Sequence, residues 1–128
     1  MYAVRALVYL AMLPSDAEPA RVEAIAHAQH IPPRFLPQIM ATLKAAGMVQ
    51  SRRGTAGGYS LTRSPGSISL AEVIERFEHG VFGPSPQAEN PVEVALKTVA
   101  DRVDTVLRAA TIEELASLAS AHVPGYTI

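Results

Sequence analysis

One short stretch of the sequence combines two arginines with three glycines, a composition suited to holding an anion. Arg52 and Arg53 precede Gly54, and Gly57 and Gly58 close the segment. An arginine guanidinium is always charged and matches phosphate geometry, and glycine lets the backbone approach a ligand closely. A nucleotide-binding phosphate loop would end in Gly-Lys-Ser/Thr and lead into a helix, and this segment does neither. Two interpretations stay open: a loop that reaches into a DNA groove, and an ordinary tight hairpin with incidental charge.

A second group of side chains lies at the start of a predicted helix. Arg34, Phe35 and Gln38 are opposite or beside its apolar residues. Recognition helices present base-reading side chains from this end, and Arg and Gln match the edges of guanine and adenine. The alternative for each residue is a solvated surface position. Pro37 predicts a kink at the start of this helix, because proline forfeits a backbone hydrogen bond.

The charges are unevenly distributed along the chain. The net charge is −1, yet residues 24–71 contain no Asp or Glu and carry five basic residues, for a net of +5. The remaining residues hold 6 basic and 12 acidic side chains, for −6. A segmental excess of this kind is the electrostatic pattern of a surface that meets a polyanion.

Other chemistries have little support. The absence of cysteine excludes disulfides, thiolate nucleophiles and cysteine-ligated iron–sulfur clusters. His27 and His30 are three residues apart, but nothing nearby completes a metal-ligand set. Asp101 and Asp104 are expected to be solvated or paired with Arg108, and no strained nucleophile motif is present. We therefore predict no catalytic residue, no metal and no cofactor, and a protein that is not an enzyme.

The hydropathy pattern argues against a membrane protein. No uncharged apolar run approaches the ~20 residues of a membrane helix. Residues 1–13 resemble a short signal peptide, but Arg5 lies inside the apolar stretch instead of ahead of it. We interpret this stretch as a buried first helix and predict a cytoplasmic protein, with which the absence of cysteine is compatible.

The elements that must position the two groups follow from periodicity and turn residues. The third helix, with Gly47 as its left-handed cap, follows a second helix after a short proline-containing break, as in a helix-turn-helix. Two alternating runs around the glycine-rich segment predict a β-hairpin, and Ser69 with Glu72 forms a capping box for a fourth helix. This is the order of a winged helix, so we predict a mainly α fold with a winged helix-turn-helix DNA-binding domain over residues 1–78. The predicted helices span residues 3–13, 20–29, 33–46 and 70–78, and the predicted strands span 48–51 and 59–62.

The C-terminal part has a different pattern. Residues 79–91 are rich in Pro and Gly and predict a linker. Beyond them, apolar residues step by four and three, the spacing of a two-stranded helical seam, and Thr111 with Glu114 opens a short terminal helix. We therefore predict a helical dimerisation region over residues 92–128, with a long helix at its centre. The predicted seam consists of Val92, Leu96, Val99, Val103 and Val106.

Several stretches of the chain resemble the Rrf-two family of bacterial winged-helix transcription regulators. The most specific is Arg53-Gly54-Thr55-Ala56-Gly57-Gly58-Tyr59-Ser60-Leu61. Others are residues 2–7, 25–36, 38–39, 43–49 and 68–74, so the resemblance covers nearly the whole chain in order.

The resemblance implies a homodimer, joined through the long helix, whose two winged helices bind a palindrome in double-stranded DNA. In such regulators the third helix enters the major groove and the wing the adjacent minor groove. The residues nominated by position are Arg34, Phe35, Gln38, Arg53, Gly54, Thr55 and Gly57, with Arg52 and Tyr59 as phosphate contacts.

The sequence departs from the family pattern in three places. Cluster-binding members carry three cysteines in the loop before the long helix, and residues 79–91 have none. Family members begin with several residues, often basic, before the pair at Tyr2 and Ala3, so either the start is misassigned or phosphate contacts are missing. Pro37 replaces a residue that is often acidic, which changes the expected base preference.

The sequence therefore predicts a repressor that binds a palindromic operator as a homodimer without an iron–sulfur cluster. The alternatives are a winged-helix dimer that serves as a protein–protein adaptor, and a regulator whose DNA binding depends on a small-molecule or protein effector. Val81 and Phe82 in the linker are candidates to line an effector site.

Overall fold

The computed structural model describes residues 1–54, 57–77 and 91–122. Within these ranges the chain forms six α-helices, two short 3-10 turns and one two-stranded antiparallel sheet. The α-helices are α1 (Tyr2–Met12), α2 (Val22–Gln29), α3 (Leu36–Ala45), α4 (Leu70–Phe77), α5 (Pro91–Ala109) and α6 (Ile112–Ala121). The strands are β1 (Val49–Arg52) and β2 (Gly58–Leu61), and the 3-10 turns are Pro33–Phe35 and Pro65–Ser67.

Helix α1 is the central element of the fold. Its buried residues are Ala3, Ala6, Leu7 and Leu10, the spacing of one helical face. This face packs against α2, α3, α4 and α6. The predicted buried first helix is therefore confirmed.

The helix-turn-helix consists of α2, the first 3-10 turn and α3. His30 ends α2 in the left-handed region, with φ of 52°, and the prolines that follow cannot extend the helix. The prediction of one helix from Pro33 with a kink at Pro37 was wrong. Residues 33–35 form a separate 3-10 turn, and Pro37 lies in the first turn of α3, where its missing N–H would have had no intrahelical acceptor.

The hairpin that follows α3 matches the sequence prediction. Gly47 takes φ of 75° after α3, as a left-handed cap requires. Strand β1 then pairs with β2 in antiparallel register, Val49 opposite Leu61 and Arg52 opposite Gly58. On the other side of β2, an isolated bridge joins Tyr59 to Ala20 in the loop before α2.

Helix α6 closes the core from the C-terminal side. The backbones of Ser69 and Thr111 form a bridge, and Ile112 is fully buried. Both predicted caps are present, because the Glu72 N–H donates to Ser69 Oγ and the Glu114 N–H to Thr111 Oγ1, each at 3.1 Å.

The predicted domain boundaries stay a prediction. The proposed linker, residues 79–91, lies outside the described residues except for Pro91, which begins α5. Helix α6 packs against α1, so this part of the proposed C-terminal region shares its core with the N-terminal part. In contrast, α5 contains no fully buried residue.

The core is a single cluster of apolar side chains from α1, α2, α3, α4, α6 and the segments between them. Its largest fully buried members are Leu7, Ile25, Leu36, Met40, Leu43, Met48, Ile68, Val73 and Ile112. None of the helices in the described ranges combines the length and the apolar character needed to cross a bilayer.

Candidate nucleic-acid interface

The side chains predicted to contact bases begin at the 3-10 turn before α3. Arg34, Phe35 and Gln38 are all exposed. Arg34 and Phe35 belong to the 3-10 turn and Gln38 to the first turn of α3. The Arg34 guanidinium lies 4.8 Å from the centroid of the Phe35 ring, a cation–π distance. These residues are therefore presented to solvent at the start of α3 while the opposite face of the helix is buried.

Two residues of α1 that the sequence analysis did not nominate lie against this turn. The Tyr2 and Phe35 rings are stacked, with centroids 5.8 Å apart and planes 24° apart. The Arg5 guanidinium lies 4.9 Å from the centroid of Tyr2. The i, i+3 spacing of Tyr2 and Arg5 could have predicted their contact, but no local signal links Tyr2 to Phe35.

The second predicted group lies between and at the ends of the two strands, and we call residues 52–58 the wing. The structure describes residues 52–54, 57 and 58 of it. Arg52, Arg53 and Gly54 are exposed, and the Gly57 N–H donates to the Gly54 carbonyl at 3.0 Å. At Gly57 a Cβ atom would lie 2.8 Å from the Gly54 carbonyl oxygen, so a side chain there would open the turn. Thr55, also nominated, lies outside the described residues.

Tyr59 has a different environment from the other nominated residues. Its backbone N–H donates to the Ala20 carbonyl at 2.7 Å, and its carbonyl accepts from the Ala20 N–H at 2.8 Å. Its side chain is half-buried and packs against the core. Tyr59 therefore attaches the wing to the body of the domain, and a phosphate contact from its hydroxyl stays a prediction.

A further basic residue connects α3 to β1, the strand that leads into the wing. The Lys44 ammonium donates to Ser51 Oγ at 2.8 Å and stays exposed. The sequence analysis counted Lys44 only as part of the net charge. The hydrogen bond places its charge beside β1, so the end of α3 and the base of the wing carry positive charge together.

Of the five basic residues in the acid-free segment, only Arg63 forms an ion pair with a carboxylate of the described residues. Arg63 pairs with Glu72 at 2.5 Å, and both side chains are about two-thirds buried. The hydrogen bond from Arg63 lowers the pKa of the Glu72 carboxyl, and the same bond raises the pKa of Arg63. Among the described residues no carboxylate lies within ion-pair distance of the other four basic side chains. These four are Arg34, Lys44, Arg52 and Arg53.

The predicted dimerisation seam lies on the surface of α5. The exposed fractions are 65% for Val92, 52% for Leu96, 46% for Val99 and 67% for Val106, whereas Val103 is half-buried. Aliphatic side chains at regular spacing on one face of a helix expose apolar area that a partner would cover.

In the described part of the chain, one ion pair connects helix α5 to α4, and two others lie within α5. Arg108 pairs with Asp104 at 2.7 Å, as predicted, and also with Glu75 of α4. These two carboxylates raise the pKa of Arg108, Asp104 contributing more than Glu75. Asp101 instead faces Lys97 at 3.9 Å.

Comparison with known proteins identifies transcriptional regulators as relatives of this chain. Residues 1–119 match the model of the Rrf2 family, the Rrf-two family above, which is described as "Iron-dependent Transcriptional regulator". The chain is 43% identical over 86 residues to slr0846 of Synechocystis, named as a candidate HTH-type transcriptional regulator. It is 33% identical over 102 residues to the HTH-type transcriptional regulator CymR of Bacillus subtilis. The match to slr0846 covers 67% of this chain and 57% of that protein, so the chain spans little more than half of its length. The match to CymR covers 77% of this chain and 73% of that protein.

Solved structures agree with the predicted fold. The CymR structure, titled "the Global Cysteine Regulator of B. subtilis", superposes with a TM-score of 0.79 at 30% identity, over 91% of this chain and 92% of that one. An IscR structure from T. potens gives 0.81 at 28% identity, over 98% and 89%. The prediction of a mainly α winged helix with a long C-terminal helix is confirmed.

The iron in the family description does not fit this chain through thiolates. The sequence contains no cysteine. In the described ranges no group of three or more His, Asp or Glu side chains could hold a metal ion. A cysteine-ligated cluster is therefore excluded here on the basis of sequence.

Proposed function

Because the chain belongs to the Rrf2 family of transcriptional regulators, we propose that it binds a palindromic DNA operator as a homodimer and represses transcription. The family match confirms the predicted family and the prediction that the protein is not an enzyme. We propose three properties of this chain: that it binds DNA, that it forms a dimer and that it represses transcription.

The observation that carries the proposal is the positive charge on two adjacent elements, which no carboxylate of the described residues neutralises. The start of α3 presents Arg34 and Gln38, and the wing presents Arg52 and Arg53, all exposed. In a winged helix these elements would meet the major groove and the flanking backbone or minor groove. The arginines would neutralise phosphates, while Arg34 and Gln38 have donors suited to base edges.

The proposed homodimer rests on the α5 seam. Four of its five aliphatic side chains are 46–67% exposed. Covering them with the same face of a second copy removes apolar area from water, at about 25 cal/mol per Å². A two-fold dimer presents two identical winged-helix domains to DNA, so its operator would contain two half-sites about one helical turn apart.

Repression is the regulatory effect that DNA binding alone can supply. A dimer that covers an operator blocks other proteins from the same DNA, and this requires no further activity. A bacterial regulator that binds chromosomal DNA would act in the cytoplasm, which is part of the proposal. An effector, either a small molecule or a protein, would modulate this binding, and the predicted effector-site residues Val81 and Phe82 lie outside the described residues.

Selection from a random DNA library tests the proposal. Purified protein would be used to enrich duplexes that it binds, and the selected duplexes would be titrated with the protein at several salt concentrations. We expect a palindrome and an affinity that falls steeply as salt rises, because counterions are released from the phosphates. Failure to bind DNA even at low salt would overturn the proposal and favour the protein–protein adaptor.

A further inference from the structure

We propose that Tyr2 of α1 is a positioning residue for DNA recognition, acting through its stack on Phe35. This inference rests on the proposed DNA-binding function and adds a residue outside the helix-turn-helix and the wing. The stack would hold the 3-10 turn at the start of α3 in the conformation that presents Arg34 to DNA.

The geometry is a four-member stack that crosses two elements. The Tyr2 and Phe35 rings form its centre, 5.8 Å apart. Arg5 lies over Tyr2 at 4.9 Å and Arg34 lies over Phe35 at 4.8 Å. A guanidinium over an aromatic face is attracted by the ring quadrupole, and an offset ring pair is favourable in itself. The orientation of Arg34 is thus coupled through Phe35 to Tyr2.

The turn that carries Arg34 has little other support. It is three residues long and closed by two backbone hydrogen bonds, from the Phe35 N–H to the Pro32 carbonyl at 3.1 Å and from the Leu36 N–H to the Pro33 carbonyl. No side chain caps this turn or the start of α3. The hydrogen-bond geometry of a 3-10 turn is poorer than that of an α-helix, so a stacked ring would add to what fixes the turn.

The stack lies outside the hydrophobic core. Tyr2 is 38% exposed and Phe35 is 40% exposed, and neither belongs to the core cluster. Removing the Tyr2 ring should therefore leave the fold intact and change chiefly the order of the turn. The positive charges at both ends of the stack suit a surface that approaches phosphates.

The decisive experiment is a double-mutant cycle read out as DNA affinity. Wild type, Tyr2→Ala, Phe35→Ala and the double variant would be titrated with the selected operator and with a random duplex. We expect Tyr2→Ala to weaken operator binding by about fivefold per half-site, from the usual strength of an aromatic pair. Binding to the random duplex should change less than twofold. In the Phe35→Ala background, Tyr2→Ala should have almost no further effect, because the residue acts through Phe35.

Two control variants sharpen the result. Tyr2→Phe keeps the ring and should bind like wild type. Met12→Ala removes a comparably exposed apolar side chain at the other end of α1 and should change neither affinity. Thermal unfolding of each variant checks that all remain folded.

The outcomes separate this inference from the proposed function. If wild type selects no operator, the proposed function fails and the inference with it. If wild type selects an operator and Tyr2→Ala binds it equally well, only the inference fails. It also fails if Tyr2→Phe is as weak as Tyr2→Ala, which would indicate a direct contact from the hydroxyl, or if the effects of Tyr2→Ala and Phe35→Ala add.

Discussion

The Gly58 backbone packs directly against the carbonyl of Ala20. A Cβ atom at residue 58 would lie 2.6 Å from the Ala20 carbonyl carbon, and Gly58 itself has φ of 149°, where side chains are strained. The next residue, Tyr59, forms the two backbone hydrogen bonds to Ala20. The wing is therefore attached to the loop before α2 at a point that only glycine allows.

Gly58→Ala should detach the base of the wing from this loop. We expect a loss of about 2–3 kcal/mol in the free energy of unfolding, because backbone strain and an overlap with main chain act together. Urea unfolding measures it. Gly54→Ala is the matched control, since φ there is 105° but nothing lies within 4 Å of the added Cβ, and it should cost clearly less. Equal losses at the two positions would contradict the proposed attachment.

Arg53→Ala should weaken DNA binding across all sequences. Removing one phosphate contact is expected to reduce the slope of log affinity against log salt by about one per subunit. Titration of wild type and variant at several salt concentrations gives the slope. Arg102→Ala removes the same charge from an exposed position on α5 and should leave the slope nearly unchanged. An unchanged slope for Arg53→Ala would mean that the wing does not grip DNA.

Val99→Glu should disrupt the proposed dimer. In the dimer, a carboxylate at the centre of the apolar seam would lose its hydration without gaining a polar partner. This penalty exceeds the free energy that covering the Val99 side chain contributes to the dimer. Sedimentation analysis should show a monomer whose operator affinity is greatly reduced. Val94→Glu is the control, because residue 94 is 47% exposed but lies about 200° around the helix from Val92. A wild-type mass that stays monomeric at all concentrations would rule the seam out.

Glu72→Gln should lower stability at neutral pH and have no effect in strong acid. Because the Arg63 hydrogen bond lowers the pKa of Glu72 in the folded state, the unfolded state binds more protons as acid is added. The stabilisation is present above the ordinary glutamate pKa of 4.5 and is lost as the pH falls through the lowered folded value.

The measurement is the free energy of unfolding of wild type and Glu72→Gln across the acid range. We expect a difference of about 1 kcal/mol at pH 7 that disappears in acid, since both proteins then carry a neutral side chain. Glu18→Gln removes a carboxylate from an exposed loop position and is the matched control, which should leave the stability at pH 7 nearly unchanged. A difference that persists at low pH would show that Glu72 stabilises by packing instead of charge.

The sequence by itself determined the elements and most of the candidate surface. The apolar stretch at the start of the chain identified α1 as a buried helix, and glycine identified the left-handed cap at Gly47. The two Ser/Thr capping signals located the starts of α4 and α6. The absence of acids over residues 24–71 marked the basic surface. These signals are local, since each depends on conformational preference or charge within a few residues of the chain.

Only the tertiary structure decided which distant residues meet. The stack of Tyr2 on Phe35 and the bridge between Ala20 and Tyr59 join residues that are far apart in sequence. The 3-10 turn at Pro33–Phe35 depends on the packing around it. The same holds for α6, whose Ile112 completes the core around α1. No local preference encodes such contacts, because they form only when the apolar faces of separate helices are buried together.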